Sequence, residues 1–326
     1  MKKAFRFIIL ICPLLIANFP SYCWGFYAHQ KINYYAVFLL PPEMVVLFKP
    51  NIVFLSEHAI DPDKRRYALP IEGPRHYIDI DHYGVYPYTN LPRKWADAVE
   101  KFGEDSLKQH GIVPWHVQTM LHRLTNAFKE KNYSLIMKYS AEIGHYISDA
   151  HVPLHASSNH NGQLTNQKGI HGFWESRVPE LLAEKEFDFF IGKAEYIQNP
   201  GDFIWKRVLE SARAADTVLT YEHELSKKFA DDKKYAFENR NGKTIRQYSS
   251  AFTIAYNKML DGMIERRMRQ SIFAIASFWY TAWVNAGQPD LKELVTQKFT
   301  EADLKEFENL NKQWSSGGKM IGREEQ

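Results

Sequence analysis

Among the histidines and carboxylates of the stretch His145 to Glu175, HYISDAHVPLHASSNHNGQLTNQKGIHGFWE, five have the spacing of metal ligands: His145, Asp149, His155, His171 and Glu175. His145/Asp149 and His171/Glu175 are i,i+4 pairs, so each pair shares one face if its segment is helical. Imidazole nitrogen and carboxylate oxygen without thiolate suit zinc or another borderline divalent ion, in a catalytic rather than a structural site. A single histidine on an amphipathic helix is usually a hydrogen-bonded core residue. Two such pairs around a proline turn are not explained that way.

These ligands need elements to hold them. Pro153 predicts a helix end near His151, with Pro153-Leu154-His155 turning back to bring His155 beside the helix it has left. A short helix opening after Gly169 would present His171 and Glu175 to the same space. The rest reads as helices: 28–40, 43–60 with a kink at Pro50, a mixed-charge helix 95–109, one from Pro114 with the core stripe Leu121, Leu124, Phe128, one over 201–229, and a long one over 251–284. Asp61-Pro62-Asp63 marks a helix end, 67–91 is irregular, and 230–249 reads as a charged surface loop. The fold class is all-α, one domain over 24–307 with a loose tail at 308–326.

Met1 to Cys23 reads as a signal peptide: Lys2, Lys3 and Arg6, then an apolar run from Phe7 to Ala17, then Ser21-Tyr22-Cys23. An uncleaved anchor or a lipoprotein cut before Cys23 is the alternative, against which Pro20-Ser21-Tyr22 speaks. Cleavage removes both cysteines, Cys12 and Cys23, so the exported chain, periplasmic or extracellular, has no disulfide to rely on. It also frees the amine of Trp24, which with its own carbonyl forms a five-membered chelate that His29 completes. No later segment has eighteen uninterrupted apolar residues, so no transmembrane segment remains.

Trp24-Gly25-x3-His29, Asp61-x14-His76-Tyr77-Ile78-Asp79, His145-x3-Asp149-x5-His155 and His171-x3-Glu175 together resemble the superfamily of zinc-dependent phospholipases C and single-strand-specific zinc nucleases. The resemblance implies a mostly helical domain with three zinc ions in a cleft. One would be held by Asp61, His76, His145 and Asp149, a second by His155, His171 and Glu175. The third would take the Trp24 amine and carbonyl, His29 and a bridging Asp149. Asp61 is preferred over Asp63 because its distance from His76 matches the family better; spacing alone does not separate them. The steps from Trp24 to His29 and from Asp61 to His76 resemble the nucleases, whereas Glu175 and the short interval from His155 to His171 resemble the phospholipases. The nucleases often carry an arginine three residues after the first aspartate, where this chain has Lys64 with Arg65 beside it. Tyr77 and Asp79 match positions at which the nucleases stack on and hydrogen-bond a base.

The chemistry expected of such a cluster is metal-assisted phosphodiester hydrolysis, with charge withdrawn from the phosphate and water acidified to a pKa of about 7. Asp61 is the candidate for orienting the water or taking its proton, and Lys64 or Arg65 for offsetting transition-state charge. No G-x-S-x-G elbow or mature cysteine supports a covalent route. A phospholipid phosphodiester is the favoured substrate, single-stranded nucleic acid or a nucleoside 3′-phosphate the second. A metal-binding protein that has lost catalysis is a third reading, and no stable protein partner is implied. The net charge of +3 is too small to mark nucleic-acid binding by bulk electrostatics.

Overall fold

A computed structural model describes residues 26–240, 242–317 and 320–321; the leader, both cysteines and Trp24 lie outside the described residues. The chain is mostly helical, and no described helix is long and apolar enough to cross a membrane.

Helix α1 spans Phe26–Ala36. Pro42 opens α2, Pro42–Phe48, at a position where its missing N–H leaves no bond unmade. The helix expected over 43–60 is broken around Pro50, giving α3, Ile52–Glu57, and a 3₁₀ turn, His58–Ile60. Asp61-Pro62-Asp63 does not end a helix. It opens a new one, α4, Asp61–Arg65, with Pro62 in its first turn.

Gly103, at φ +78°, divides the expected 95–109 helix into α5, Trp95–Phe102, and α6, Glu104–Gln109. Two long helices follow, α7, Val113–Lys129, and α8, Tyr133–His151, whose N-terminus is capped by the Asn132 side chain accepting from Leu135 N at 3.1 Å. A short α9, Ile170–Gly172, runs through a π turn, Phe173–Arg177, into α10, Val178–Glu186. Next comes α11, Pro200–Ser226.

The segment read as a charged loop contains α12, Asp231–Lys234, and an antiparallel hairpin of β1, Tyr235–Arg240, and β2, Lys243–Tyr248, with Tyr235 opposite Tyr248. Its alternation was hidden among charges, and it is held by aromatic contacts: Tyr235 to Tyr248 at 5.0 Å and Phe173 stacked on Tyr248 at 3.8 Å. The long helix expected over 251–284 is two, α13, Ser250–Met259, and α14, Met263–Asn285, split where Asp261 and Gly262 take positive φ.

The tail expected from residue 308 is helical as far as Ser315. It belongs to α15, Glu301–Ser315, which starts with a Thr300/Asp303 capping box. Phe307 packs on Phe54 at 5.5 Å and His58 at 4.5 Å, and Trp314 on Phe26 at 5.4 Å. Its few apolar positions are diluted among charges, which conceals the stripe.

Helix α8 is the axis of the fold. Every residue from Ser140 to His151 is buried, with α1, α3, α7, α11 and α14 packed around it. Trp279 of α14 is fully buried and donates its indole N–H to Ser140 O at 2.9 Å; burial of a ring that size stabilises by about 3 kcal/mol. Asn33 of α1 donates to Ala141 O and Leu55 O, both at 3.0 Å. A Cβ at Gly144 would lie 2.0 Å from Asn33 Oδ1, so this glycine is what lets α1 approach the ligand-bearing helix.

Candidate metal centre

His145 and Asp149 stand one turn apart on α8, which stops at Val152 ahead of Pro153. The 3₁₀ turn Pro153–Ala156 then carries His155 back to the segment after His76. There His155 Nδ1 donates to His76 O at 2.6 Å, and Ile78 N to His155 O at 2.9 Å. Gly169, at φ +93°, lets the chain enter α9, whose continuation carries His171 and Glu175.

Backbone carbonyls fix the tautomers. A carbonyl can only accept, so the nitrogen facing it carries the proton and the other ring nitrogen of a neutral imidazole presents a lone pair. His155 Nδ1 faces His76 O, His171 Nδ1 faces His160 O at 3.0 Å, and His145 Nδ1 faces Ala59 O at 2.9 Å. The Nε2 atoms of all three therefore point lone pairs inward. His155 Nε2 and His171 Nε2 are 3.1 Å apart, and Glu175 Oε2 lies 3.4 and 2.8 Å from them respectively. Three lone pairs converging at this spacing repel one another unless a cation sits between them. A tetrahedral ion with ligand bonds of 2.0–2.1 Å has ligand–ligand edges of about 3.3 Å, which these distances approach.

A second group is assembled from four residues. His76 Nδ1 lies 3.0 Å from both His145 Nε2 and Asp149 Oδ2, and the latter two are 3.2 Å apart. Asp63 Oδ1 closes the group at 3.7 Å from His76 Nδ1 and 3.6 Å from His145 Nε2. These are five edges of a donor tetrahedron of metal-ion size. His29 Nε2 approaches the other oxygen of Asp149, Oδ1, at 3.4 Å, and its ring stacks on His145 at 3.9 Å. Asp149 thus turns one oxygen to each side. The buried sets His29/His145/Asp149, Asp63/His76/His145 and His155/His171/Glu175 could each hold a metal ion. Trp24, expected to complete the His29 site, lies outside the described residues.

The electrostatics agree with a cation site. Burial would raise the Asp149 carboxyl, yet the facing His145 and His155 imidazoles hold it well below the usual range. Burial pushes the His29 and His145 imidazoles down. His76 goes the other way: burial lowers it, but the Asp149 carboxylate hydrogen-bonded to one side of the ring and the Glu72 carboxylate behind the other outweigh that and push it up to about 9.

Asp61, expected as a ligand and as the proton acceptor, is not in this group; Asp63 is. The Asp61 carboxylate is taken by His58 Nδ1 at 2.6 Å and Lys64 Nζ at 2.9 Å, and these partners pull it below the ordinary range against its burial. Lys64 is buried on that pair, with the Trp314 ring 5.9 Å away. Arg65 is also engaged elsewhere, with Glu142 Oε1 at 2.7 Å, Glu72 Oε2 at 3.2 Å and Tyr146 OH at 3.2 Å. Neither expected cation has a contact with the ligand groups. Arg66, fully buried, is near enough for its charge to act on both Asp63 and His76, opposing the rise that burial gives the Asp63 carboxyl and that the Asp149 and Glu72 carboxylates give the His76 imidazole. Counting three residues from Asp63 instead of Asp61 would have found it. Tyr77 is only 5 % exposed and donates its hydroxyl to Gln109 O at 3.3 Å, so its ring is no open platform for a base. Asp79 is half-buried next to it, with its backbone N–H on His110 O at 2.7 Å.

No protein-family model matches the chain, and no curated protein matches it in sequence.

Proposed function

We propose that this chain is a zinc-dependent phosphodiester hydrolase of the phospholipase C type. The observation that carries the reading is a set of buried donor groups, with Asp149 shared between His76/His145 and His29 and the tautomers of His145, His155 and His171 preset by backbone carbonyls. The donor set, all nitrogen and oxygen, fits zinc. Asp63, His76, His145 and Asp149 would hold one ion, His155, His171 and Glu175 another, and His29 with Asp149 a third. The chemistry supplied by bound zinc is charge withdrawal from phosphate oxygens and acidification of water toward a pKa of about 7.

The chain's own residues do the rest. Asp149 turns one oxygen to His145 and the other to His29, so one carboxylate would serve both sites. Asp63 takes the role first assigned to Asp61, orienting the water or taking its proton. Among the described residues His155, His171 and Glu175 supply three protein donors rather than four, which is the pattern of a catalytic site. Arg66 adds fixed positive charge beside the group, where negative charge grows during in-line attack.

Two observations bear on the substrate. With Asp63 as ligand, the step to His76 is thirteen residues and no longer speaks for the nucleases, and the buried Tyr77 removes the expected base platform. Asp81 ties the loop after Ile80 to the one after His155, accepting from Ser158 N at 3.0 Å and Ser157 Oγ at 3.2 Å. On these two loops Val85, Tyr86 and Leu164 are 86, 48 and 71 % exposed, which suits a lipid surface better than a polyanion. Arg66, at the nuclease arginine position, favours the second reading, a nuclease or 3′-nucleotidase.

The test is a parallel assay of the mature protein on phosphatidylcholine vesicles, single-stranded DNA and a ribonucleoside 3′-phosphate, with zinc analysis. Lipid turnover abolished by chelation supports the proposal. Turnover of nucleic acid alone reverses the ranking, and bound zinc without turnover of any diester leaves a metal-binding protein.

A further inference from the structure

We infer that Glu72 is a positioning residue that sets the ligand tautomer of His76 and, through it, the placement of His155, so that metal loading depends on a carboxylate in neither donor group. The inference rests on the metal reading above.

Glu72 precedes His76 by four residues around the 3₁₀ turn Gly73–Arg75 and is fully buried. A buried carboxylate persists only when its charge and lone pairs are met. Its Oε2 accepts from Arg75 Nη1 at 2.8 Å and Arg65 Nε at 3.2 Å, and its Oε1 accepts from the Tyr146 hydroxyl. Arg65 is anchored in turn by Glu142. Glu72 is thus one of four charges of alternating sign, and Arg75, Arg65 and Glu142 hold its carboxylate still.

That fixed oxygen is aimed at the back of a ligand. Glu72 Oε1 lies 3.7 Å from His76 Nε2, a nitrogen with no hydrogen-bond partner. At this distance the contact is charge–dipole rather than a hydrogen bond. It matters because the front of the ring is contested. His76 Nδ1 faces Asp149 Oδ2 at 3.0 Å and Asp63 Oδ1 at 3.7 Å, and two carboxylates on that side draw the ring proton to Nδ1, where it blocks a metal. Negative charge behind Nε2 pulls the other way and favours the tautomer with Nδ1 bare. The His76 carbonyl meanwhile accepts from His155 Nδ1 at 2.6 Å, so any shift of His76 reaches the three-donor group as well.

The test is zinc affinity of the purified mature protein by competition with a chromophoric chelator, with thermal melts of the metal-free form and the visible spectrum of the cobalt-substituted form. Glu72→Gln should weaken at least one site by about 10- to 100-fold and change the cobalt spectrum. Glu142→Gln, which releases Arg65 without touching His76, should lower the melt and leave zinc affinity within about twofold of wild type. Equal affinity in Glu72→Gln and wild type overturns the inference, as does an equal loss in both variants. Tyr146→Phe removes the donor that competes for Oε1 without removing charge. It should keep or tighten zinc binding while lowering the melt, and a fall in affinity there counts against a tautomer-setting role even if Glu72→Gln does not fold. If the wild type takes up no zinc, the metal reading itself falls, which a difference confined to the variants does not show.

Discussion

Asp61 and Asp63 are two residues apart, and the paired substitutions Asp61→Asn and Asp63→Asn separate their roles. Asp63 Oδ1 sits 3.7 and 3.6 Å from the donor nitrogens of His76 and His145, one of four donors in its group. Zinc held by four side chains has an apparent binding free energy of about 10–16 kcal/mol. Shared evenly, one donor is worth about 3 kcal/mol, roughly a hundredfold in Kd. Asp63→Asn should lose one zinc on dialysis against trace metal, with that weakening measured by chelator competition and activity falling with occupancy. Asp61→Asn breaks the ion pair with Lys64 and weakens the bond to His58, both away from the donor groups. It should lose about 1–3 kcal/mol of folding stability and keep its full metal complement. Loss of metal from Asp61→Asn with retention in Asp63→Asn would refute Asp63 as the ligand.

His155→Ala removes one of three donors from its group, and elemental analysis should find one metal fewer with most diester turnover gone. Gly144→Ala places a Cβ 2.0 Å from Asn33 Oδ1 and should lose about 1–3 kcal/mol, read as a lower midpoint in denaturant, with the His29 site weakened most because α1 carries it. For the metal-free protein, the folded pKa of His76, pushed up to about 9, exceeds its unfolded value of about 6.5. The stability it contributes is therefore fully present below pH ~6.5 and lost as pH rises through ~9, an effect of roughly 3 kcal/mol. Melts with chelator across that range should show the decline. Zinc affinity should rise over the same interval, because binding must displace the proton.

The helical class, the i,i+4 ligand pairs and the turn at Pro153 were legible in the chain because each depends on residues a few positions apart. Hydrophobic period sets a helix, proline ends it, and side chains one turn apart share a face. The hairpin at 235–248 and α15 escaped because their few apolar residues are scattered among charges, and their stability comes from what they pack against, Phe173 for one and Phe54 and Phe26 for the other.

The choice between Asp61 and Asp63 was of another kind. Both lie in α4, where positions two apart differ by roughly 200° and so look in opposite directions, while positions three apart, such as Asp63 and Arg66, look the same way. Which side faces the histidines depends on how α4 docks between α8 and α15, a long-range packing outcome that no local spacing encodes. The same holds for Asp149, whose type and helix position were readable but whose two oxygens are divided between His29 and His76 only by the approach of α1 past Gly144. Local chemistry chose the ligand types; the crossing of helices chose which of them meet.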